Sequence, residues 1–321
     1  MYPAYQSQAS FISKGIERIK SFSINKDLRL NNETIEVLYT SRRIIEQLIQ
    51  NMVYVDGGTF LMGSVDYNES MKKKYIDYKH DVTLSSFCIS KYLFTYREYW
   101  ALWFLRDYIR AIDVLCKKTN EYNETDFIWK NSNVMANVHT TLLCTKHPFV
   151  GYKDDIDGSL WTLRQITGLD FSCPTESEWE FAARGGNLSK GFLYSGSNNY
   201  EDVAWFKENT RKKYGMWRES KEVGLKQPNE LGLYDMSGNV NEWCEDKYAP
   251  YSFSHQYNPI ETNGDAILAN RRIFRGGSYK NHFRECYVFS RKDDYGKISM
   301  EDVGFRLVLR QSRISFNAVV L

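Results

Sequence analysis

The residues best equipped for chemistry in this chain are dispersed. Its six cysteines, Cys88, Cys116, Cys144, Cys173, Cys244 and Cys286, lie far apart with no CxxC pair. In a long chain with no export signal, that spacing predicts reduced, mostly buried thiols and not a disulfide framework. No GxxxxGK[ST], GxSxG or HExxH is present, so phosphate-cradling loops, nucleophile elbows and helical zinc pairs are not written here. Arg42-Arg43, Lys72-Lys73-Lys74, Lys212-Lys213 and Arg271-Arg272 are separated by long stretches and read as solvated faces. One segment, 280–297 (KNHFRECYVFSRKDDYGK), concentrates His, Phe, Tyr, Arg and Asp. Aromatic area with directional arginine hydrogen bonds suits contact with a protein or a carbohydrate.

The chain that must position these residues has 321 of them, with 42 Lys+Arg against 40 Asp+Glu and a formal charge of +2. That balance supplies no basic excess for nucleic-acid binding. A charged fraction of 26% beside a hydrophobic fraction of 42% excludes wholesale disorder. The aromatic content of 15% provides a sizeable core from few aliphatic runs. No apolar run reaches the length of a membrane span, and the first residues lack a signal-peptide core. A cytoplasmic protein is the expectation.

Residues 1–51 read as an N-terminal helical arm. Ile12, Ile16, Ile19 and Phe22 recur at helical spacing, and a second stripe (Ile35, Leu38, Ile45, Leu48, Ile49, Met52) runs from about Glu33 to Gln50. Such an arm packs on its own body or docks to a partner or second copy; the stripes alone fit both. From Met52 the texture changes. MVYVDGGTFLMGS predicts a strand, a tight turn across Gly57-Gly58 and a second strand, and DVTLSSFCISKYLFT predicts another strand pair. Thr95-x-x-Glu98 and Thr175-x-x-Glu178 are capping boxes. The second opens a short helix with Trp179, Ala182 and Ala183 on its apolar face, closed by Arg184 and Gly185-Gly186. Residues 107–146 carry a second helical stretch (Ile109, Ile112, Leu115, Cys116) and a polar loop, and read as an insertion in a body spanning 52–310. The apolar finish of the tail 311–321 reads as a core strand or a partner-binding peptide.

The blocks MVYVDGGTFLMGS (52–64), DVTLSSFCISKYLFTYREY (81–99), HPFVGYKDD (147–155), TGLDFSCPTESEWEFAARGG (167–186), PNELGLYDMSGNVNEWCEDKY (228–248), RIFRGGSY (272–279) and VGFRLVL (303–309) stand in a fixed order. Together they resemble the formylglycine-generating enzyme family, the sulfatase-modifying-factor domain, over about residues 52–309. The resemblance implies an α+β domain of irregular, C-type-lectin-like fold with little regular secondary structure. Members of the family include copper oxidases acting on a sulfatase cysteine, iron-dependent carbon–sulfur-forming enzymes, and non-catalytic ligand-binding or lipoprotein forms.

In the oxidases, two thiolates follow the RGGS block as Cys-x-x-x-x-Cys, a soft donor pair for copper(I). Here Asn281 holds the first position and Cys286 the second. An amide oxygen is a hard donor, so copper is not expected, and Cys286 is a catalytic residue only if this is an oxidase. The five histidines (His80, His139, His147, His255, His282) lack the spacing of the iron class, and no lipidated N-terminal cysteine is in place for the lipoprotein class. In DMSGNVNEW the resemblance implies a structural Ca²⁺, with Asp235 and Glu242 as carboxylate donors and Gly238 and Val240 as carbonyl donors. An Asx turn with Glu242 exposed is the alternative. The expectation is a non-catalytic binding or scaffold protein, part of a larger assembly. Its ligand surface is Lys280, Asn281, His282, Phe283, Arg284 and Tyr287, and the arm and tail are candidate docking elements for a protein partner or second copy. The copper-dependent oxidase remains the alternative. Neither membrane nor nucleic acid is expected as a partner.

Overall fold

The computed structural model describes residues 3–21, 23, 30–64, 79–117, 146–151, 153–211, 218–264, 271–294 and 301–310. The tail 311–321 and most of the 107–146 segment lie outside the described residues.

Four long helices form one layer: α1 (Pro3–Lys20), α2 (Asn32–Gln50), α3 (Tyr96–Lys117) and α4 (Lys153–Thr167). Asn31 caps α2 by accepting the Thr34 amide at 2.8 Å. Of the stripe read from sequence, Leu38, Ile45, Leu48 and Ile49 are buried and, joined by Ile44, pack with Leu102, Leu105 and Tyr108 of α3 and Ile156, Leu160 and Leu163 of α4, while Ile35 is only partly buried. Ile19 of α1 joins them, with Ile12 and Ile16 partly buried against the cluster. Phe22 lies outside the described residues. The arm therefore packs on its own body, and its apolar stripe is not left for a partner. The helical stretch expected after 107 is not a separate element: α3 runs unbroken through it to Lys117.

The strands form three small sheets. The first is ordered β1 (Met52–Val55), β4 (Phe87–Ser90), β10 (Val308–Arg310). The second is β2 (Gly58–Met62), β3 (His80–Leu84), β6 (Gln256–Tyr257). The third is β8 (Arg291–Asp294), β7 (Arg272–Arg275), β5 (Asn241–Lys247), β9 (Val303–Gly304). The two strand pairs expected from sequence exist as strands but do not pair within themselves. β1 pairs β4 antiparallel while β2 pairs β3, so the chain crosses between sheets at Gly57 and again at Ser85-Ser86. Gly57 permits this because a Cβ there would run into the Leu84–Ser86 backbone.

Helix α5 (Glu176–Ala183) is wholly buried and stands against the second and third sheets. Its capping box forms in full: Thr175 Oγ1 accepts the Glu178 amide at 3.2 Å, and Glu178 Oε2 accepts the Thr175 amide at 2.8 Å. Gly185, at φ +94, makes the left-handed stop. Beyond it, among the described residues and apart from the single-turn helix α6 (Tyr200–Val203), the chain is held by turns, short strands and aromatic packing.

Candidate functional site: the turn after β7 and its buried thiol

Strand β7 ends at Arg275, and Gly276 and Gly277 (φ +92 and +72) turn the chain sharply. A side chain on Gly277 would press on the Cys286 sulfur at 2.8 Å. The turn delivers Ser278 into a polar knot. Its hydroxyl lies 2.5 Å from Asp302 Oδ2 and 3.0 Å from Asn281 Oδ1. Asn241, at the start of β5, donates to Asp302 Oδ2 at 3.2 Å and to Asn281 Oδ1 at 3.4 Å. Asn281 is tied further by its own amide to the Ser278 carbonyl and by its carbonyl to the Lys207 amide, both at 2.9 Å. The first thiol position of an oxidase is thus an amide committed to neighbours on several sides.

Cys286 closes a 3-10 turn, Phe283–Cys286, capped by His282. Its side chain is fully buried against Tyr194, Val203, Ala204 and Phe206. Desolvation pushes its thiol up to about 12, so it is not a ready thiolate at neutral pH. One protonated, buried thiol beside an amide does not fit copper(I). Cys88, Cys173, Cys244 and Cys286 are buried thiols in no disulfide, as their spacing predicts.

The residues expected to form a ligand surface divide. Lys280, His282 and Arg284 are exposed. The His282 ring lies on Phe283 at 4.0 Å, Arg284 stands over the same ring, and Lys280 reaches Glu301 at 3.0 Å. Phe283 and Tyr287 are half-buried: Phe283 stacks on Tyr200 at 4.4 Å, and Tyr287 lies 5.0 Å from Tyr194. They support the surface more than they form it, while Asn281 points into the polar knot.

Of the four expected calcium donors, the two carboxylates are already committed to other partners. Glu242 is fully buried and taken by Arg306 at both oxygens, 2.5 Å to Nε and 2.8 Å to Nη2, with Trp179 Nε1 donating at 2.9 Å. A guanidinium in that place repels a divalent ion. Asp235 accepts the Gly224 amide at 2.8 Å and the Asn239 side chain at 3.3 Å. Burial raises its carboxyl to about 6, so neighbouring charge compensates it only in part. Asp235 and Asn239 adopt positive φ, 59 and 66, and a Cβ on Gly238 (φ +81) would collide with the Trp205 backbone. The motif builds a strained turn, but Asp235 holds it through the distant Gly224 amide and the Asn239 side chain, not through an Asx bond, and Glu242 is buried in an ion pair, not exposed.

That pair is one node of a grid that spacing does not reveal. Arg275 is fully buried, pairing Glu176 at 2.8 Å and Glu180 at 2.5 Å and donating to the Val288 carbonyl at 2.9 Å. Arg291 grips both Glu176 oxygens, at 2.6 and 2.8 Å. Arg310 grips both oxygens of Glu178, at 2.6 and 2.5 Å. The available signal was composition: a short helix with Trp179, Ala182 and Ala183 on its apolar face also carries Glu176, Glu178 and Glu180, which require cations nearby once the helix is buried. Asn241, Asp302, Asp246 and Tyr251 carried no signal in the sequence.

Comparison with known proteins agrees with this architecture. The Sulfatase-modifying factor enzyme 1-like domain matches residues 41–311. Chaperone protein LppX of Paenibacillus barcinonensis is 32% identical over 247 residues, covering 71% of this chain and 78% of LppX. Serine/threonine-protein kinase Pkn1 of Chlamydia trachomatis is 26% identical over 74% of this chain, which spans 34% of the kinase. The formylglycine-generating enzyme of Streptomyces coelicolor is 30% identical over 153 residues, 41% of this chain and 45% of that enzyme. Among solved structures, Treponema denticola variable protein 1 superposes with a TM-score of 0.59 at 22% identity, covering 81% of this chain and 94% of its own, a likeness of fold. With most of its length matched by the family model, this chain belongs to the sulfatase-modifying factor enzyme 1-like, or formylglycine-generating-enzyme-like, domain family.

Proposed function

We propose that this chain is a non-catalytic binding or scaffold member of its family. It holds a protein partner through the exposed residues Lys280, His282 and Arg284, set on the aromatic shelf of Phe283, Tyr200 and Tyr287. One observation carries the reading. Asn281 Oδ1 stands in the Ser278–Asp302–Asn241 knot where a soft donor belongs, and the remaining sulfur, Cys286, is buried and protonated at neutral pH. The relative LppX, matched over most of both chains, is named a chaperone, which supports a protein rather than a small molecule as the ligand.

The competing reading is a copper-dependent oxidase of a sulfatase cysteine, and the retained Cys286 is what favours it. Two measurements separate them. Copper(I) titration against a competing chelator is expected to show no tight site. A CxPxR-type peptide incubated with copper-loaded protein and oxygen is expected to keep its cysteine by mass. Aldehyde formation that is lost in Cys286→Ser would overturn the proposal. Affinity capture from the native source with the wild type and with a Lys280→Ala/His282→Ala/Arg284→Ala variant tests the surface. A partner retained equally by both would remove it.

A further inference from the structure

Every buried glutamate on α5, and Glu242, faces an arginine. Buried Asp107 lies 3.4 Å from Arg106. Two buried acids have no such ion-pair partner among the described residues: Asp235, in the turn before β5, and Asp246, near the end of it. Asp246 differs because it lines a cleft. The cleft, about 540 Å³, opens between the ends of β3 and β5, the first turn of α5, and the loop 249–261 that carries β6. It lies at the far end of β5 from Asn241, and so away from Ser278 and Cys286.

Asp246 is only 6% exposed. Its oxygens accept the Glu176 amide at 2.8 Å and the Glu261 amide at 3.0 Å, which leaves lone pairs on both. The charges around it do not compensate it. Glu176 and Glu178 repel it, and Glu261 adds a third acid beside the loop. Arg291 on β8 lines the same cleft, but it is committed to Glu176 and to the Ala249 carbonyl at 3.0 Å. Lys247 also lines the cleft without forming an ion pair to Asp246, and His80, His255, Tyr251 and Tyr257 complete the titratable groups of the lining. Burial first, then Glu176, raises the Asp246 carboxyl to about 7. The mouth is of a different character. His255 and Tyr257 stack at 4.5 Å, Tyr257 is 71% exposed, and Ile260 sits beside them at 38%.

An acid at the base of a half-enclosed cleft, lacking its own cation, under an aromatic and aliphatic lip, has a definite complement. We infer that this cleft binds an ammonium or guanidinium group borne on an apolar stem, the cation meeting the Asp246 carboxylate and the stem lying on Tyr257 and Ile260. Cation–π attraction to the lip and a charge-assisted hydrogen bond at the base act together on such a group. The stem is that of an arginine or lysine side chain on a partner, or that of a free aliphatic amine. The site is independent of whether the 280–287 surface binds anything.

Calorimetry and NMR titration of the full chain decide it, with a blocked Leu-Arg-Leu peptide, its citrulline counterpart, agmatine, spermidine and inorganic phosphate as probes. Saturable binding of a cationic probe is expected. It weakens about tenfold or more on replacing arginine by citrulline and on Asp246→Asn. It also strengthens from about pH 6 to about pH 8 as the acid ionises. Tighter binding of the peptide assigns the source to a partner protein, and equal or tighter binding of agmatine or spermidine assigns a free amine. Because Asp246 also holds two backbone amides, Tyr257→Ala, which removes only an exposed ring, provides the second variant. A several-fold loss of affinity is expected there even if Asp246→Asn unfolds. No saturable cation binding at millimolar probe, or binding indifferent to Tyr257→Ala and to citrulline, overturns the inference. Phosphate binding in competition with the cationic probes would reassign the cleft to Arg291 and Lys247, and overturn it too.

Discussion

Replacing Arg306 by methionine tests the claim that the expected calcium motif is in fact an internal ion pair. Both side chains of the Arg306–Glu242 pair are fully buried. The substitution leaves the Glu242 carboxylate with Trp179 Nε1 as its remaining side-chain donor. It also strips donors from the Ser90 and Tyr234 carbonyls, now held at 3.0 and 2.9 Å. Breaking one side of a buried pair costs about 3–5 kcal/mol. Each carbonyl left dry adds about 1 kcal/mol or more. Local relaxation limits the sum, so we expect a net destabilisation of about 4–5 kcal/mol. For a chain of 321 residues, at about 2.1 cal/mol/K of unfolding entropy per residue, that lowers Tm by roughly 6–8 °C. Urea unfolding and differential scanning fluorimetry measure it. Arg306→Met combined with Glu242→Leu should recover about 2 kcal/mol of the single-variant loss, since no uncompensated charge remains. A loss below about 1 kcal/mol in Arg306→Met would refute the reasoning. So would a calcium-dependent rise in Tm of the wild type that is abolished by Glu242→Gln.

Four further outcomes rest on contacts elsewhere in the fold. Asp246 has a folded pKa of about 7 against an ordinary 3.8, so its contribution is present below about pH 4 and is lost as pH rises toward 7. Urea titrations of wild type and Asp246→Asn should therefore diverge between those limits, the wild type losing ground as pH rises, and run parallel above; a constant difference would remove the raised pKa. Cys286 should resist iodoacetamide in the native protein and label only on unfolding, as read by peptide mapping; rapid native labelling would contradict its burial. Ile45→Ala, at a fully buried position of α2, should cost about 2–4 kcal/mol. A chain starting at Met52 should expose the facing apolar surface and aggregate or unfold in light scattering; a stable monomer from that chain would show the arm to be dispensable.

Local signals in the sequence were read correctly where their partners are local. Thr175 and Glu178 form the full capping box, Arg184 and Gly185 end the helix as expected, and the α2 stripe is the buried face. Thr95 and Glu98 form half of theirs. Glu98 reaches back to the Thr95 amide at 2.7 Å, but the Thr95 hydroxyl donates to that same carboxylate instead of accepting the Glu98 amide. The strands at 52–64 and 81–95 were legible as strands, yet their partners were not. Pairing at Gly57 depends on how far the backbone can approach Leu84, which no pattern of alternation encodes.

The order of the blocks, the capping residues and the lone sulfur at Cys286 follow from the sequence by itself, because each depends on residue type and near neighbours along the chain. Which acids keep a free charge follows only from the folded chain. Glu242 and Asp235 look alike as oxygen donors in a turn, and Asp246 looks like an ordinary strand residue. Arg306, sixty-four positions from Glu242, spends one of these acids, while no arginine arrives at Asp246. Electrostatic compensation acts through space over a few ångströms and is indifferent to sequence separation. The identity of the occupied and unoccupied acids is therefore a property of the tertiary structure.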